Sequence, residues 1–305
     1  MLPMDQRDGT IWLDGALVPW RDARSHVLSH GLHYASAVFE GERVYGGEVF
    51  RLAEHGRRLL RSCAIMDMDC PWGASALDQA AVAVVRANGI ADGYLRRIAW
   101  RGAEQLGVAA RATRIHVAIA SWPWPRYFAG DAAEHGLRLA IGDWRRPAPD
   151  SAPVLAKASC LYAIGTLAKH AAERAGFDDA LLLDWRGRVA EATGANVFFI
   201  RDGVLHTPVP DAFLDGITRQ TMMSLARARS LEVVERVIMP DELAGFEACF
   251  LTGSAAEVAP VQQIGSYHFS SAPITRQLSD DYAALVRQHV AKVTQSVAKV
   301  AQTAA

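Results

Sequence analysis

The sequence predicts a protein of mixed α and β structure, of the α+β or α/β class, with two domains. Three observations lead to this prediction. The chain has 305 residues, which at about 150 residues per domain suits two domains or one large one. Half of the residues are apolar, which is enough to build a large core. Along the chain, turn signals between short apolar runs alternate with helix-length apolar patterns.

One stretch rich in proline and glycine sets the domain limits. Pro123, Pro125 and Gly130 fall within fifteen residues, 121–135, and interrupt regular structure. The expected parts are a small N-terminal domain at 1–125, an interdomain linker at 126–136, a large domain at 137–293 and a frayed tail at 294–305.

In the first domain, two tight-turn signals predict hairpins. Asp14-Gly15 and Gly46-Gly47 each stand between apolar runs, and such pairs accept the positive φ angles of a two-residue hairpin loop. The remaining elements expected there are helices at 53–68 and 75–89 and strands at 93–101 and 114–122.

In the second domain, turn pairs at Arg186-Gly187 and Asp202-Gly203 divide a run of apolar residues into a β-meander at 179–207. The other elements expected there are a strand at 137–144, helices at 161–175 and 214–229, a strand at 232–238, a short helix at 240–245, a strand at 248–252 and a last helix that starts after Ser279.

Charge and cysteine usage exclude several classes of protein. The 32 basic and 33 acidic residues nearly cancel, which argues against binding to nucleic acid or a membrane surface through bulk charge. No apolar run approaches the roughly 18 residues that span a bilayer, and the start, MLPMDQRDGT, does not read as a signal peptide. The four cysteines are scattered without a CxxC pair, so we expect a reduced, cytoplasmic protein without a metal.

Lys157 is the first candidate for chemistry. The chain has only four lysines, and Lys157 is the only charged residue between Ser151 and Ala168. An apolar setting disfavours the ammonium form, and a neutral amine can attack a carbonyl to form a Schiff base. Taken alone, the pattern fits better a lysine whose head reaches water while its stem is buried.

Two glycine turns are candidate phosphate sites. DGIT at 215–218 opens directly into a helix, where free backbone N–H groups and the helix dipole favour an anion. TGSAAE at 252–257 is a second such turn after a strand. Ordinary capping explains either turn alone. Two of them, without GxGxxG or GxxxxGK[ST], indicate a phosphate that is not part of a nucleotide.

Glu191 is a third candidate, because it stands among small residues at the end of a strand, where a flat ligand can approach. Taken alone it is more simply a turn carboxylate. Together, a lysine, a carboxylate and a phosphate cradle suggest pyridoxal 5'-phosphate, whose ring nitrogen needs an acidic partner. The pattern does not choose among the enzymes that use this cofactor.

Longer motifs occur in one order over residues 8–290: IWLDGALVPWRDARSHVLSHGLHYASAVFEGERVY, FRLAEHGRRL, GYLRR, PVLAKASCLY, EATGANVFFI, LDGITRQ and LTGSAAEVAPV. In these motifs the chain resembles the class IV, or fold type IV, pyridoxal-phosphate aminotransferases, and most closely the bacterial branched-chain amino acid aminotransferases. The resemblance implies the two-domain fold of the D-amino acid aminotransferases, a cytoplasmic enzyme, and a homodimer or higher homo-oligomer.

The resemblance also implies roles at the cofactor. Lys157 would be the Schiff-base lysine and proton carrier, Glu191 would pair with the pyridine nitrogen, and Tyr162 would bond the ring hydroxyl. The phosphate would be bound by Arg58, Ile217, Thr218 and Ser254.

For the substrate, the resemblance implies one pocket that accepts two kinds of side chain. Tyr94 and the N–H groups of Ala255 and Ala256 would bind the α-carboxylate, and Arg96 would bind the distal carboxylate of glutamate. The residues implied to line the side-chain pocket are Tyr34, Phe39, Val108 and Tyr127. The alternative for Arg96 is a structural role, paired with a carboxylate such as Glu40.

Two positions depart from the family pattern. Arg97 stands where many relatives have proline, and Glu42 stands where apolar residues are common. Neither belongs to the implied cofactor machinery.

The activity implied is reversible transfer of the amino group of leucine, isoleucine or valine to 2-oxoglutarate by a ping-pong mechanism. The alternatives are a D-amino acid or (R)-amine transaminase, an aminodeoxychorismate lyase of the same fold, or a non-catalytic relic that binds an anion. The FEGER and GYLRR blocks favour the branched-chain reading, and the retained Lys157 and Glu191 argue against a relic.

Overall fold

The computed structural model describes residues 2–124, 135–270 and 272–303. The chain divides into two compact units. The first comprises Met1–Pro125, Ala156–Cys160 and Leu285–Ala305, and the second comprises Arg126–Leu155 and Leu161–Ala284. Lys157 therefore belongs to the first unit, although it follows the expected linker in sequence. That linker, at 126–136, lies mostly outside the described residues.

The first unit is built on a six-stranded antiparallel sheet with the strand order β2-β1-β6-β5-β3-β4. Three of the described helices lie entirely in the same unit. The elements are β1 Thr10–Leu13, β2 Ala16–Pro19, α1 His30–Tyr34, β3 Ala37–Tyr45, β4 Glu48–Val49, α2 Leu52–Ile65, α3 Ala74–Ala87, β5 Gly93–Arg101 and β6 Ile115–Pro123.

The two faces of this sheet differ because successive side chains of a strand point to opposite sides. On β5, Leu95, Arg97 and Ala99 are fully buried, and Arg97 contacts Asp78 of α3. Their side of the sheet is therefore the one that α2 and α3 cover. Arg96 lies on the opposite face and is only partly buried. Of the residues implied to meet substrate, Phe39, Tyr94 and Arg96 thus lie on the face away from these helices.

The second unit contains a nine-stranded mixed sheet with the main order β12-β11-β10-β13-β14-β7-β8-β9, and β15 pairs with β14. The elements are β7 Leu137–Arg146, α4 Ala163–Arg174, β8 Asp179–Asp184, β9 Val189–Ala192, β10 Asn196–Arg201, β11 Val204–Pro208, α5 Ile217–Ala228, β12 Val233–Arg236, β13 Ala248–Gly253, β14 Glu257–Ile264 and β15 Tyr267–His268.

A contact between β9 and β10 closes part of this sheet into a ring. Asn196 of β10 pairs with Glu191 of β9, so the path through β10, β13, β14, β7, β8 and β9 returns to its start. Closure leaves an apolar interior, where Val197, Phe199 and Leu251 are fully buried. The predicted glutamate thus stands at the seam of a barrel-like sheet.

The last helix, α6, spans Pro273–Thr303 and contributes residues to both units. The predicted start after Ser279 is wrong, because Pro273 suits the first turn of a helix, where its missing N–H is not needed. The helix includes residues 294–303, for which the sequence predicts fraying. Within the described residues, no helix is both long and apolar enough to cross a membrane.

Most other predicted elements are confirmed within a few residues, including both hairpins and the turns at Gly187 and Gly203. Among the α-helices and strands of the described residues, three were missed: α1, β14 and β15. The helix expected at 75–89 is α3, which begins at Ala74 after Gly73 and ends at Ala87.

Candidate active site

Lys157 is anchored through its backbone to two elements of the first unit. Its N–H donates to Ser62 Oγ of α2 at 3.0 Å, and its carbonyl accepts the N–H of Phe39 at 3.0 Å. The next residue, Ala158, bridges to Val38 of β3. The Lys157 Nζ lies 5.0 Å from the centre of the Phe39 ring. The predicted nucleophile is thus an amine held beside an aromatic face.

Arg58 of α2 is bound by a buried carboxylate. Its Nε and Nη2 donate to the two oxygens of Glu40, each at 2.7 Å, and His55 Nδ1 lies 2.7 Å from Glu40 Oε2. Burial alone would raise the pKa of Glu40, but Arg58 and His55 outweigh it and hold that pKa well below its usual range. The carboxylate is therefore ionised. Glu40 thus bonds Arg58 and His55, and no contact with Arg96 is described, while the structural alternative for Arg96 stays a prediction.

Arg96 lies on the other face of the sheet against two aromatic rings. Its guanidinium carbon is 4.6 Å from the centre of the Phe39 ring and 5.6 Å from that of Tyr94. Its Nε is buried and has no hydrogen-bond partner among the described residues. Tyr94 packs against Trp124, with ring centres 4.8 Å apart. This face therefore joins aromatic surface to an incompletely bonded cation.

Gly41 makes room for the hydroxyl of Tyr94. A Cβ at position 41 would lie 1.8 Å from the Tyr94 oxygen, so only glycine fits there. Because Gly41 is paired with Arg96 across β3 and β5, the hydroxyl lies near the backbone of Arg96. The FEGER motif thus has a steric reason for its glycine.

The other implied pocket residues of the first unit are largely exposed. Tyr34 is 46% exposed and stacks on His30 with ring centres 4.5 Å apart. Val108 is 86% exposed. Tyr127 lies outside the described residues. The structure of a single chain does not bury Tyr34 or Val108 in a pocket.

Glu191 in the second unit is held by two residues that the sequence analysis missed. Its Oε1 lies 3.4 Å from Arg146 Nε, as an ion pair rather than an aligned hydrogen bond, and its Oε2 accepts Asn196 Nδ2 at 3.3 Å. Only 13% of its side chain is exposed. Asn196 lies in the same motif as Glu191 and could have been found there. Arg146 is 45 residues earlier, and no local signal points to it.

The first phosphate turn is confirmed as the start of a helix. Gly216 precedes α5 in an extended conformation, so the N–H groups of Ile217 and Thr218 fall in the first turn, where a helix supplies no partner. A Cβ on Gly216 would lie 2.2 Å from Asn196 Oδ1. Asn196 Nδ2 also donates to the carbonyl of Leu214 at 3.0 Å. Asn196 therefore ties this turn to Glu191.

Arg219 fixes the same turn from inside the protein. Its side chain is fully buried and donates to Asp215 Oδ1 at 2.8 Å and Glu235 Oε2 at 2.7 Å. It also donates to Thr207 Oγ1 and to the carbonyl of Pro208. The arginine of the LDGITRQ motif thus has a structural role in holding the cradle.

The second phosphate turn joins β13 to β14. Gly253 pairs with Glu257, which leaves Ser254, Ala255 and Ala256 as the loop residues. Glu257 has a φ of 55°, in the left-handed region. Successive N–H groups in such a turn can form an anion-binding concavity. Thr252 Oγ1, just before the turn, is buried without a hydrogen-bond partner among the described residues.

Tyr162 stands immediately before α4 and is partly buried. Its carbonyl accepts the N–H of Thr166 at 2.9 Å and the Thr166 hydroxyl at 3.2 Å. The helix start thus holds its backbone.

Each unit, taken by itself, offers groups that suit part of a phosphorylated pyridine aldehyde. The first unit supplies a fixed amine and a fixed arginine. The second unit supplies a braced carboxylate, a helix start free of side-chain bulk at Gly216, and a second turn beside an unsatisfied hydroxyl.

The family model and the curated relatives that match this chain agree with one another. Residues 37–264 match the family model described as amino-transferase class IV. A probable branched-chain-amino-acid aminotransferase of Rickettsia felis is 39% identical over 94% of this chain and 99% of the relative. The branched-chain-amino-acid aminotransferase of Pseudomonas aeruginosa is 38% identical over 93% and 95%.

Solved structures similar to this chain are also named as branched-chain aminotransferases. The branched-chain aminotransferase of Thermoproteus uzoniensis, crystallised with norvaline, superposes with a TM-score of 0.88 at 37% identity, covering 92% of this chain and 95% of that one. The branched-chain amino acid aminotransferase of Thermobaculum terrenum, in its PLP-bound holo form, has a TM-score of 0.82 at 33% identity, with 92% and 94% covered.

Proposed function

The chain belongs to the class IV aminotransferases, and from that premise we propose that it transfers the amino group of leucine, isoleucine and valine to 2-oxoglutarate. The family match and the solved neighbours confirm the resemblance and the fold type IV architecture predicted from the sequence. The relatives described above are named as branched-chain aminotransferases and align over more than nine tenths of this chain.

One observation in this chain carries the substrate proposal. The Phe39 ring has the Lys157 amine 5.0 Å from its centre and the Arg96 guanidinium carbon 4.6 Å from it. A branched aliphatic chain can pack on such an apolar ring. A glutamate carboxylate needs a cation when it leaves water, and Arg96 supplies one. One surface can therefore accept both amino donors.

The cofactor of the enzyme is pyridoxal 5'-phosphate. When bound, it withdraws the electrons left on the substrate α-carbon after deprotonation. We assign Lys157 to its aldehyde, Glu191 to its pyridine nitrogen and Tyr162 to its ring hydroxyl. The residues assigned to its phosphate are Arg58, Ile217, Thr218 and Ser254.

Within this assignment, Lys157 is the proton carrier. Its Nζ takes the proton from the substrate α-carbon, and the backbone bonds to Ser62 of α2 and Phe39 of β3 hold Lys157 in place beside that strand. Glu191 would accept the N–H of the pyridine ring, and Arg146 and Asn196 hold its two oxygens for that role. A proton held there makes the ring a stronger electron acceptor.

The substrate is oriented by its α-carboxylate. We assign this group to the hydroxyl of Tyr94 and the N–H groups of Ala255 and Ala256, and the pocket wall to Phe39. Arg96 then meets a carboxylate only when the substrate is glutamate or 2-oxoglutarate. The two half-reactions share these residues, which is the structural basis of a ping-pong mechanism.

We further propose a homodimer. Two segments of the first unit, 27–32 and 106–108, carry large apolar side chains that are at least 46% exposed: Val27, Leu28, Leu32, Leu106 and Val108. The two segments that carry them are neighbours, since His30 Nε2 lies 3.0 Å from the Gly107 carbonyl. An exposed apolar patch of this kind is typical of an interface. In the dimer, Val108 and Tyr34 would line the pocket of the other subunit.

Light scattering on the eluting protein tests the assembly. The wild type should elute at twice the mass of the chain or more, and Val108→Asp should shift the population toward the monomer.

We place the enzyme in the cytoplasm, where its four free cysteines stay reduced.

An amino-donor panel tests the substrate assignment. The purified enzyme is supplied with 2-oxoglutarate and either L-leucine, L-isoleucine, L-valine, their D-forms or (R)-1-phenylethylamine. Fast turnover with the three L-amino acids supports the proposal. Turnover restricted to the D-forms or to the amine would identify a transaminase of the rival specificity.

A further inference from the structure

Two buried carboxylates stand two residues apart on β3 and have different arginine partners. Glu40 and Glu42 are both fully buried and point to the same face of the strand, toward α2 and α3. Glu40 binds Arg58, and Glu42 binds Arg97. Only one of these arginines is assigned to the cofactor phosphate.

The contact between Glu40 and Arg58 fixes the orientation of the guanidinium. Both bonds are 2.7 Å long and join the Nε and Nη2 edge of Arg58 to the two carboxylate oxygens. Paired parallel bonds of this kind define the plane and the rotation of a guanidinium. The Nη1 edge of Arg58 therefore lies on the side away from Glu40.

His55 fixes the carboxylate in turn. It lies one helical turn before Arg58 on α2, so both side chains reach the same strand. Its Nδ1 is 2.7 Å from Glu40 Oε2, and its ring is almost fully buried. The chain thus orders three side chains in a line from His55 through Glu40 to Arg58.

We propose that Glu40, held by His55, is a positioning residue that orients Arg58 for the phosphate of the cofactor. The proposal rests on the assignment of Arg58 under the proposed function. Glu40 acts only through Arg58, because a carboxylate in contact with a phosphate would repel it.

The physical gain is preorganisation. An unrestrained arginine side chain has many rotamers, and ordering it on ligand binding costs conformational entropy, which weakens the binding. Glu40 removes that entropic cost before the cofactor arrives. The expected contribution is a roughly 3- to 10-fold tighter binding of a ligand that carries a phosphate.

The preference for pyridoxal phosphate over pyridoxal is a measurement that would not change if Glu40 had only a structural role. Pyridoxal lacks the phosphate but keeps the ring and aldehyde, so the ratio of the two dissociation constants isolates the phosphate contribution. Both constants are measured on the full-length protein, freed of cofactor, by quenching of tryptophan fluorescence. The variants are Arg58→Ala, Glu40→Gln and Glu42→Gln.

We expect Arg58→Ala to abolish most of the preference for pyridoxal phosphate over pyridoxal. Glu40→Gln should lower the preference roughly 3- to 10-fold and leave the Kd for pyridoxal unchanged. Glu42→Gln is the matched control, since Glu42 is equally buried on the same face, and it should keep the wild-type ratio.

A wild-type ratio in Glu40→Gln would overturn the inference while leaving the role of Arg58 intact. A wild-type ratio in Arg58→Ala would overturn the assignment of Arg58 and the inference with it. Equal losses in Glu40→Gln and Glu42→Gln would show a general effect of the buried charges, and would also overturn the inference.

If Glu40→Gln does not fold, His55 provides the second test. Asparagine can place an amide N–H near the position of Nδ1, whereas leucine cannot donate. We expect His55→Asn to keep the wild-type ratio and His55→Leu to lower it. Identical ratios in these two variants would contradict the role of His55 in holding Glu40.

Discussion

Glu42 and Arg97 form an ion pair in the core of the first unit, with Glu42 Oε1 2.8 Å from Arg97 Nε and neither side chain exposed. By the resemblance given above, both residues depart from the family pattern. Arg97 also binds Asp78 of α3 at 2.8 Å. All three lie on the face opposite Phe39 and Arg96. The departures therefore compensate each other and do not alter the substrate side of the sheet.

Because the pair is buried, removal of one partner should cost much more than removal of both. Glu42→Leu or Arg97→Leu leaves a charge in the core and should lower the free energy of unfolding by about 3–5 kcal/mol. The double variant leaves only Asp78, whose side chain is 20% exposed and reaches water. We expect it to be clearly more stable than either single variant. Urea unfolding of the protein freed of cofactor measures all four proteins.

If the losses of the single variants add in the double variant, the pair has no coupling and this account of the two departures is wrong. Substrate KM values serve as the control. They should stay near wild type in the double variant, because no substrate-facing side chain is changed.

Replacement of Lys157 tests the covalent centre. Lys157→Ala should lose the visible absorbance of the bound cofactor and at least roughly 100-fold of the turnover, because the amine nucleophile is gone. Lys169→Ala is the control. Lys169 bonds the Asp178 carbonyl on the surface of the second unit and should leave activity unchanged. Activity comparable to wild type in Lys157→Ala would remove the central assignment.

Replacement of Glu191 tests the pyridine partner. Glu191→Gln keeps the size of the side chain but cannot hold the ring proton, so the half-reaction with leucine should slow by roughly 100-fold or more while the cofactor stays bound. Stopped-flow absorbance after mixing with leucine measures this. An unchanged rate would exclude Glu191 from the role. Asn196→Ala should give a smaller loss, because Arg146 still holds Glu191.

A separate prediction concerns the thiol of Cys70. A hydrogen bond from Cys63 lowers the pKa of Cys70 to about 7, against the effect of burial. The thiolate is thus favoured in the folded state. The ionised Cys70 thiolate therefore stabilises the folded state. This stabilisation is fully present above the ordinary thiol pKa and is lost as the pH falls through about 7. Alkylation of Cys70 by iodoacetamide should therefore rise with pH around a midpoint near 7, as followed by peptide mass spectrometry.

Cys63→Ala removes the donor and should move that midpoint toward the ordinary thiol range. Cys70→Ser identifies the signal, since it should abolish the labelled peptide. A midpoint that is the same in wild type and Cys63→Ala would contradict the hydrogen bond as the cause.

Local chemistry explains which elements the sequence predicted correctly. The hairpin turns need two residues with positive φ, and Asp14 and Gly15 have φ values of 49° and 102°. Gly46 and Gly47 adopt the same region. Two adjacent residues determine such a turn, so it can be predicted without knowledge of distant contacts.

Contacts between distant residues explain what the sequence could not predict. Strand β14 has neighbours on both sides, β13 and β7, and one of them is more than 100 residues away. Arg146 reaches Glu191 only because β7, β8 and β9 lie side by side. The register of β3 against β5 likewise explains the pair of Glu42 and Arg97. It places Glu40 directly opposite Arg97, so Glu42, two residues further along β3, is the diagonal neighbour of Arg97 on the same face. Sequence spacing alone does not contain that register.

The last prediction concerns recognition of two unlike substrates by one pocket. Arg96 packs on Phe39 and Tyr94, and its buried Nε has no hydrogen-bond partner among the described residues. A carboxylate that enters this pocket would complete its bonds, whereas leucine needs only the aromatic surface. Arg96→Met keeps an apolar stem of similar length and removes the charge. It should raise the KM for glutamate and 2-oxoglutarate roughly 10- to 100-fold, the range for a lost charged hydrogen bond, and change the KM for leucine much less.

Arg101→Met is the matched control for this experiment. Arg101 lies on the same strand, but its guanidinium is bound by the carbonyls of Asp67 and Ala110, so it acts as a structural arginine. Its loss should lower stability and affect both half-reactions alike. Steady-state kinetics of each half-reaction, with thermal unfolding of each variant, separates the two cases. If Arg96→Met raises the KM of leucine as much as that of glutamate, Arg96 is structural as well, and the distal carboxylate of glutamate must be bound by another cation.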